Sequence, residues 1–354
     1  MANTFFKPLI ETDRTTSRTL LHEAIPITGT LIAATSIAGY ATNASGRELN
    51  VKTFSHGMFQ SVYDYPYLSS SANHIFDVTV GVSAQSSSYY LLGAEITQQT
   101  KKANVYAQMA QVLNGYTTNG VVRAFDKDGD FGGGSKINEA IFLNFSRLLV
   151  KDEIKKGSFE LKLGTAAYSN PNSTVITVKD HGGETSYKTN SPAGEYGILT
   201  TGSAAGNGTE VGLIFYQAGI VVLEGSVFGE TTQIGTSAHF SSSYMYGSAS
   251  IDLFCDGIRK RIQNVSFNNT TELNSSLYFC RANHNEFNYS SNPTYMTGSK
   301  IRVKGNDILQ PPRSYITTVG LYSADNELLA VAKLSEPLRK DPSNELTLRV
   351  RLDY

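Results

Sequence analysis

Apolar and polar positions alternate at period two over much of this chain. In Ile75–Val82, residues Phe76, Val78, Val80 and Val82 share one face of a predicted strand. Just before it, Tyr63, Tyr65 and Tyr67 recur at the same period around Pro66, and the proline restricts that piece to an edge or a loop. The best helical pattern is 95–114, where Val105, Tyr106, Met109, Val112 and Leu113 form one stripe and Gly115 stands at the terminator position. Asn138–Lys156 is a second helical candidate, although its IFLNF core reads equally well as a strand. A short third helix is expected at Asp256–Gln263. Further strands are expected at Val175–Val178, Gly212–Tyr216, Gly219–Leu223, Leu277–Cys280 and Ser299–Lys304. Ser314–Tyr322 and Leu328–Leu334 flank the turn Ser323–Glu327 as a hairpin. At the C-terminus Leu346, Leu348, Val350 and Leu352 face one way, while Thr347, Arg349, Arg351 and Asp353 face the other.

These patterns predict a mainly β protein with a few helices (α+β). Its body is expected to be antiparallel and sandwich-like, preceded by an extended N-terminal arm. The arm is placed at 1–50, the main body at 51–164 and 251–354, and a β-rich, loop-rich insertion at 165–250, where Gly, Ser, Thr and Ala dominate. Composition agrees: 37 Ser, 33 Thr, 24 Asn and 20 Tyr put the polar surface on small neutral groups, and charged residues are only 17%. Thirty basic and 31 acidic side chains nearly cancel, which argues against a generally basic nucleic-acid binder. Two cysteines, Cys255 and Cys280, exclude a disulfide scaffold and an all-cysteine zinc site. No early basic-then-apolar leader and no stretch of about 20 apolar residues is present, so neither secretion nor a membrane span is expected.

Candidate chemistry is sparse. Asp126, Asp128 and Asp130 place three carboxylates at alternate positions, like the opening of a calcium loop. The frame then departs from that pattern: Phe131 stands where glycine makes the sharp turn, and Ile137 where a bidentate Glu belongs. A solvated acidic turn before Gly132-Gly133-Gly134 is the plainer expectation. That glycine run lacks the Lys of a phosphate loop. The six histidines form no metal or catalytic pair, and no nucleophile elbow exists. Arg259-Lys260-Arg261 is the one basic cluster. Arg259 and Arg261 do not share a helix face, so pairing with carboxylates of a neighbouring molecule is expected rather than nucleic-acid contact. Tyr63, Tyr65, Tyr67, Tyr289 and Tyr295, set among Ser and Asn, suit protein contact or stacking on a sugar.

Three segments, EFNYSSNPTYMTGSKIRVK (286–304), SYITTVGLYSADNELLAVAKLSEPLRKD (314–341) and LTLRVRLDY (346–354), resemble virion structural proteins of contractile-tailed bacteriophages, in particular large myoviruses of the marine cyanophage type. Upstream, HGMFQSVYDYPYLSSSANHIFDVTVG (56–81) and KANVYAQMAQVLNG (102–115) are similar to the same group. The resemblance covers 50–160 and 250–354 and carries over no functional residues. It implies a non-enzymatic subunit without cofactors, made in the host cytoplasm and built into the virion in many copies. The implied place is the baseplate or the tail-fibre attachment region. Its expected partners are other virion proteins and copies of itself, with no nucleic acid and no membrane. A neck or head-surface position and a host-glycan-binding module are the alternatives.

Overall fold

The computed structural model describes residues 6–28, 49–91, 97–202, 208–229, 232–234, 238–290, 292–297, 300–301, 309 and 313–354. The protein is mainly β, with large antiparallel sheets and few helices. It divides into two compact units, Leu21–Thr271 and the pair of segments Met1–Leu20 with Glu272–Tyr354.

The unit Leu21–Thr271 is built on one antiparallel sheet. From the N-terminal part of the strand Ile262–Ala282, its order runs on through Glu160–Gly164, Val175–Lys179, Gly194–Thr201, Thr209–Phe215, Ile220–Glu224, Glu139–Phe145, His74–Val82, Gln60–Tyr63 and Val51–Thr53. The predicted face Phe76, Val78, Val80 and Val82 is fully buried, but Ile75 and Thr79 on the other face are buried too. Both the helix Thr97–Leu113 and the helix Ile251–Arg261 pack on this strand, so alternation understated its burial. Gly81 is needed there, since a Cβ would lie 2.9 Å from the Tyr106 backbone nitrogen. Aromatic rings knit the layers: Tyr106, Phe125, Phe142 and Phe215 form one cluster, and Phe145, Phe159 and Phe267 another.

Several expectations are corrected here. The strands of 165–250 are not a separate insertion. They bond to Glu160–Gly164 at one end and Glu139–Phe145 at the other, which makes them the middle of the sheet. The ambiguous segment at 138–156 is the strand Glu139–Phe145 followed by the short helix Arg147–Val150. Ladder bonds to a neighbour on each side outweigh its helical spacing. On Thr97–Leu113, Val112 of the predicted stripe is 65% exposed, while Gln99 and Lys102 are buried in its place. Gly115 does terminate this helix, at φ +70°. The third helix starts earlier than expected, at Ile251, because the Ser250 hydroxyl accepts from the Leu253 N–H and caps it.

The second unit has a different character. Ser275–Ala282 of the strand Ile262–Ala282 pairs with Leu346–Asp353, bringing Tyr278 opposite Val350 and Cys280 opposite Leu348. Tyr354 exchanges two backbone hydrogen bonds with Asn274, which ties down the chain end. Ser314–Tyr322 and Leu328–Lys340 form the predicted two-stranded hairpin. Asn326 takes the left-handed position of its turn at φ +64°, and the Ser323 N–H closes the turn on the Glu327 carbonyl. The N-terminal segment is extended as Arg14–Thr28 and lies beside Ile262–Ala282. The remainder of the expected arm, 29–48, and most of the expected strand at 299–304 lie outside the described residues.

Candidate assembly interface

The hydrophobic cluster of the protein lies wholly within Leu21–Thr271. Among the described residues of the other unit, only Ala282 and Val350 are buried apolar side chains. In the hairpin only its two end residues, Ser314 and Lys340, are buried. Between them, apolar side chains occupy both faces of Leu328–Lys340: Leu329 is 67% exposed, Leu328 52% and Val331 51%. A two-stranded hairpin is marginal in water unless further strands or a packed layer cover it.

Polar contacts hold the base of the hairpin. Lys340 Nζ donates to Asn288 Oδ1 at 2.7 Å, to the Asp341 carbonyl at 3.0 Å and to the His284 carbonyl at 3.3 Å. The Ser314 hydroxyl donates to the Phe287 carbonyl. Beside the first hairpin strand runs a groove of about 930 Å³. Every residue from Ser314 to Ala324 lines one side, and Tyr278, Cys280, Leu348 and Leu352 line another. Phe6 also lines it and packs on Tyr322, with ring centroids 4.5 Å apart. Lys7 pairs with Glu286, and Arg281 with Asp13 at 3.0 Å. Lys7 holds the Glu286 carboxyl below its ordinary range, and burial pushes the Cys280 thiol up. The arrangement offers apolar surface and a backbone edge.

Of the residues singled out in the sequence, Tyr289 belongs to this site: it lines the groove and is 59% exposed. Tyr295 is half-buried in the short turn Pro293–Tyr295. Tyr63, Tyr65 and Tyr67 belong to the other unit. There Tyr63 lies 6.3 Å from the Tyr67 ring and 5.5 Å from the His74 ring, and Tyr65 and Tyr67 are exposed. Arg259 and Arg261 do not face a neighbour, which corrects the sequence reading; both are buried inside the chain. Arg259 donates to Gln60 Oε1 at 2.9 Å and pairs with Asp256 at 2.5 Å. Arg261 donates to the carbonyls of Gly164 and Ala166, both at 2.9 Å, and of Gln233 at 2.5 Å. Loop and strand-end carbonyls that would otherwise be buried unsatisfied draw the guanidinium inward.

The three aspartates do converge, with one carboxylate oxygen of each within 4.8 Å of the others. Asp126 ends the strand Phe125–Asp126, and Asp128 and Asp130 lie in the loop that joins it to its partner strand Lys136–Ile137. Phe131 makes the sharp turn despite its side chain, at φ +61°. The Gly132 N–H donates to Asp130 Oδ1 at 2.6 Å. A positive charge is already in the loop: Lys136 Nζ lies 2.7 Å from Asp126 Oδ2, 2.7 Å from the Gly132 carbonyl and 3.1 Å from the Gly133 carbonyl. Lys136 thus takes the first carboxylate and the carbonyl that a calcium loop would turn on its ion. Burial raises the Asp126 carboxyl against the pull of Lys136, while the Asp130 N–H lowers that of Asp128. A divalent cation held by Asp126, Asp128 and Asp130 would compete with this lysine.

Comparison with protein families, curated proteins and solved structures finds no match for the chain.

The groove was missed in the sequence because its lining comes from four separate segments. One signal was present: Leu328–Leu334 carries apolar residues at consecutive positions as well as alternate ones, which is more than one covered face requires.

Proposed function

We propose that this chain is a non-enzymatic structural subunit of a contractile-tailed bacteriophage virion, placed in the baseplate or fibre-attachment region. The observation that carries the assembly part of this reading is the near absence of a core among the described residues of the Met1–Leu20 and Glu272–Tyr354 unit. A segment set of that size with so little buried apolar surface gains stability by burying its exposed faces against other molecules. The bacteriophage part rests on the sequence resemblance of 286–304, 314–341 and 346–354, which are segments of this same unit. The work of such a subunit is mechanical, through interfaces that in obligate assemblies bury about 2,000 Å² or more.

The test is immunogold electron microscopy of purified particles with an antibody to this chain, alongside mass spectrometry of the particle proteins. Label at the tail tip supports the proposed position. Label at the neck or head keeps the structural role and moves its place. Absence from the particles overturns the virion reading.

A further inference from the structure

We infer that the strand Ser314–Tyr322 pairs with the same strand of a second copy of this chain, antiparallel and about a two-fold axis at Thr318, so that two hairpins make one four-stranded sheet. The inference rests on the assembly reading above and names its partner.

Ser314–Tyr322, Leu328–Lys340 and Leu346–Asp353 are three of the strands of this unit that have a ladder partner on one side only among the described residues. Two of them carry the features by which proteins protect sheet edges. Leu346–Asp353 bears Arg349 and Arg351, and Leu328–Lys340 bears Lys333, Glu336, Pro337 and Arg339. Ser314–Tyr322 has neither a charge nor a proline in nine residues, and it is rich in β-branched and aromatic side chains. Thr317, Thr318, Gly320 and Tyr322 are exposed along it. Such an edge templates pairing with another strand. The groove is the open space beside it.

Charge selects a second copy in antiparallel register. The turn end of the hairpin is acidic, with Asp325 and Glu327 exposed, whereas the base carries Arg313, together with Arg339 that pairs with Asp341 at 2.8 Å. Arg313 is half-buried, and its Nε has no hydrogen-bond partner. Two-fold pairing centred on Thr318 sets Ser314 opposite Tyr322 and Ile316 opposite Gly320 of the other copy. Each basic base then lies beside an acidic turn, twice by symmetry. A parallel arrangement would bring like charges together. The strand itself adds no repulsion, and the whole chain is near neutral. An isologous contact of this kind closes at two copies. Four strands also exceed the two that are marginal alone.

The experiment is sedimentation of the full chain over a hundredfold concentration range. Wild type is expected to form a dimer. Thr318→Lys places two ammonium groups at the axis and should raise the dimer dissociation constant at least tenfold, with an unchanged circular dichroism spectrum because Thr318 is exposed. Thr318→Cys should give a disulfide-linked dimer on mild oxidation. Arg313→Glu and Asp325→Arg should each weaken the dimer alone, and an equimolar mixture should restore it, since both cross-copy pairs are then opposite in sign. A wild type that stays monomeric throughout, an assembly larger than two, or a dimer indifferent to these changes would overturn the pairing. Tail label on particles alongside such a result would leave the assembly reading standing, and a dimer without virion label would do the reverse.

Discussion

Lys136 shows how one side chain changes the meaning of a motif. The spacing of Asp126, Asp128 and Asp130 is visible in the sequence, but the ammonium that meets Asp126 comes from ten residues on, across a strand pair. Removing it by Lys136→Met leaves a fully buried carboxylate without its cation. The expected loss is about 2–3 kcal/mol at pH 7, scaled down from a wholly buried pair because Lys136 is partly exposed. Burial already sets the folded Asp126 above its unfolded value, so the folded state binds more protons in that window and stability falls as pH rises through it. The variant should therefore lose less at pH 4.5 than at pH 7. Thermal melts should also show millimolar calcium recovering part of the loss at pH 7 in the variant and shifting wild type little. Equal calcium shifts in both proteins would refute the role given to Lys136. The arginines teach the same lesson: Arg259 and Arg261 read as a surface cluster, yet buried carbonyls and Gln60 claim them.

At the level of elements, two leucines in strands behave oppositely. Leu143 lies in the interior strand Glu139–Phe145, between Val78 and Val221, and is buried. Leu329 lies in the hairpin and is exposed. Leu143→Ala should cost about 2–5 kcal/mol in urea unfolding. Leu329→Ser should stay within about 0.5 kcal/mol when measured in dilute monomer. A comparable loss for both would mean that the hairpin is covered within its own chain. The hairpin strands and their turn were legible in the sequence, whereas the segment holding Leu143 read equally as helix and as strand. Burial was not legible, because alternation records which residues share a face and says nothing of whether a second layer covers it.

For the molecule as a whole, the uneven distribution of core predicts uneven unfolding. Hydrogen exchange in rising urea should expose peptides from 314–340 before those from 139–145 and 211–223. The midpoint for 314–340 should rise with protein concentration, as it must if other copies stabilise that unit. A single transition for all peptides, independent of concentration, would contradict both the division and the assembly reading. Because Trp is absent, mass spectrometry is better suited to this than intrinsic fluorescence.

The sequence by itself determined the fold class, the hairpin and its turn, the strand Leu346–Asp353, and the long helix with its Gly115 stop. These follow from local rules: side-chain period, turn chemistry and residue type act over a few neighbours. Tertiary structure alone decided that 165–250 forms the middle of the main sheet and that 138–145 is a strand. It also decided that two arginines are interior and that Leu328, Leu329 and Val331 of the hairpin stay exposed among the described residues. Those outcomes depend on which distant backbone edges and faces find partners, and ladder bonds and apolar burial between remote segments outweigh local preference.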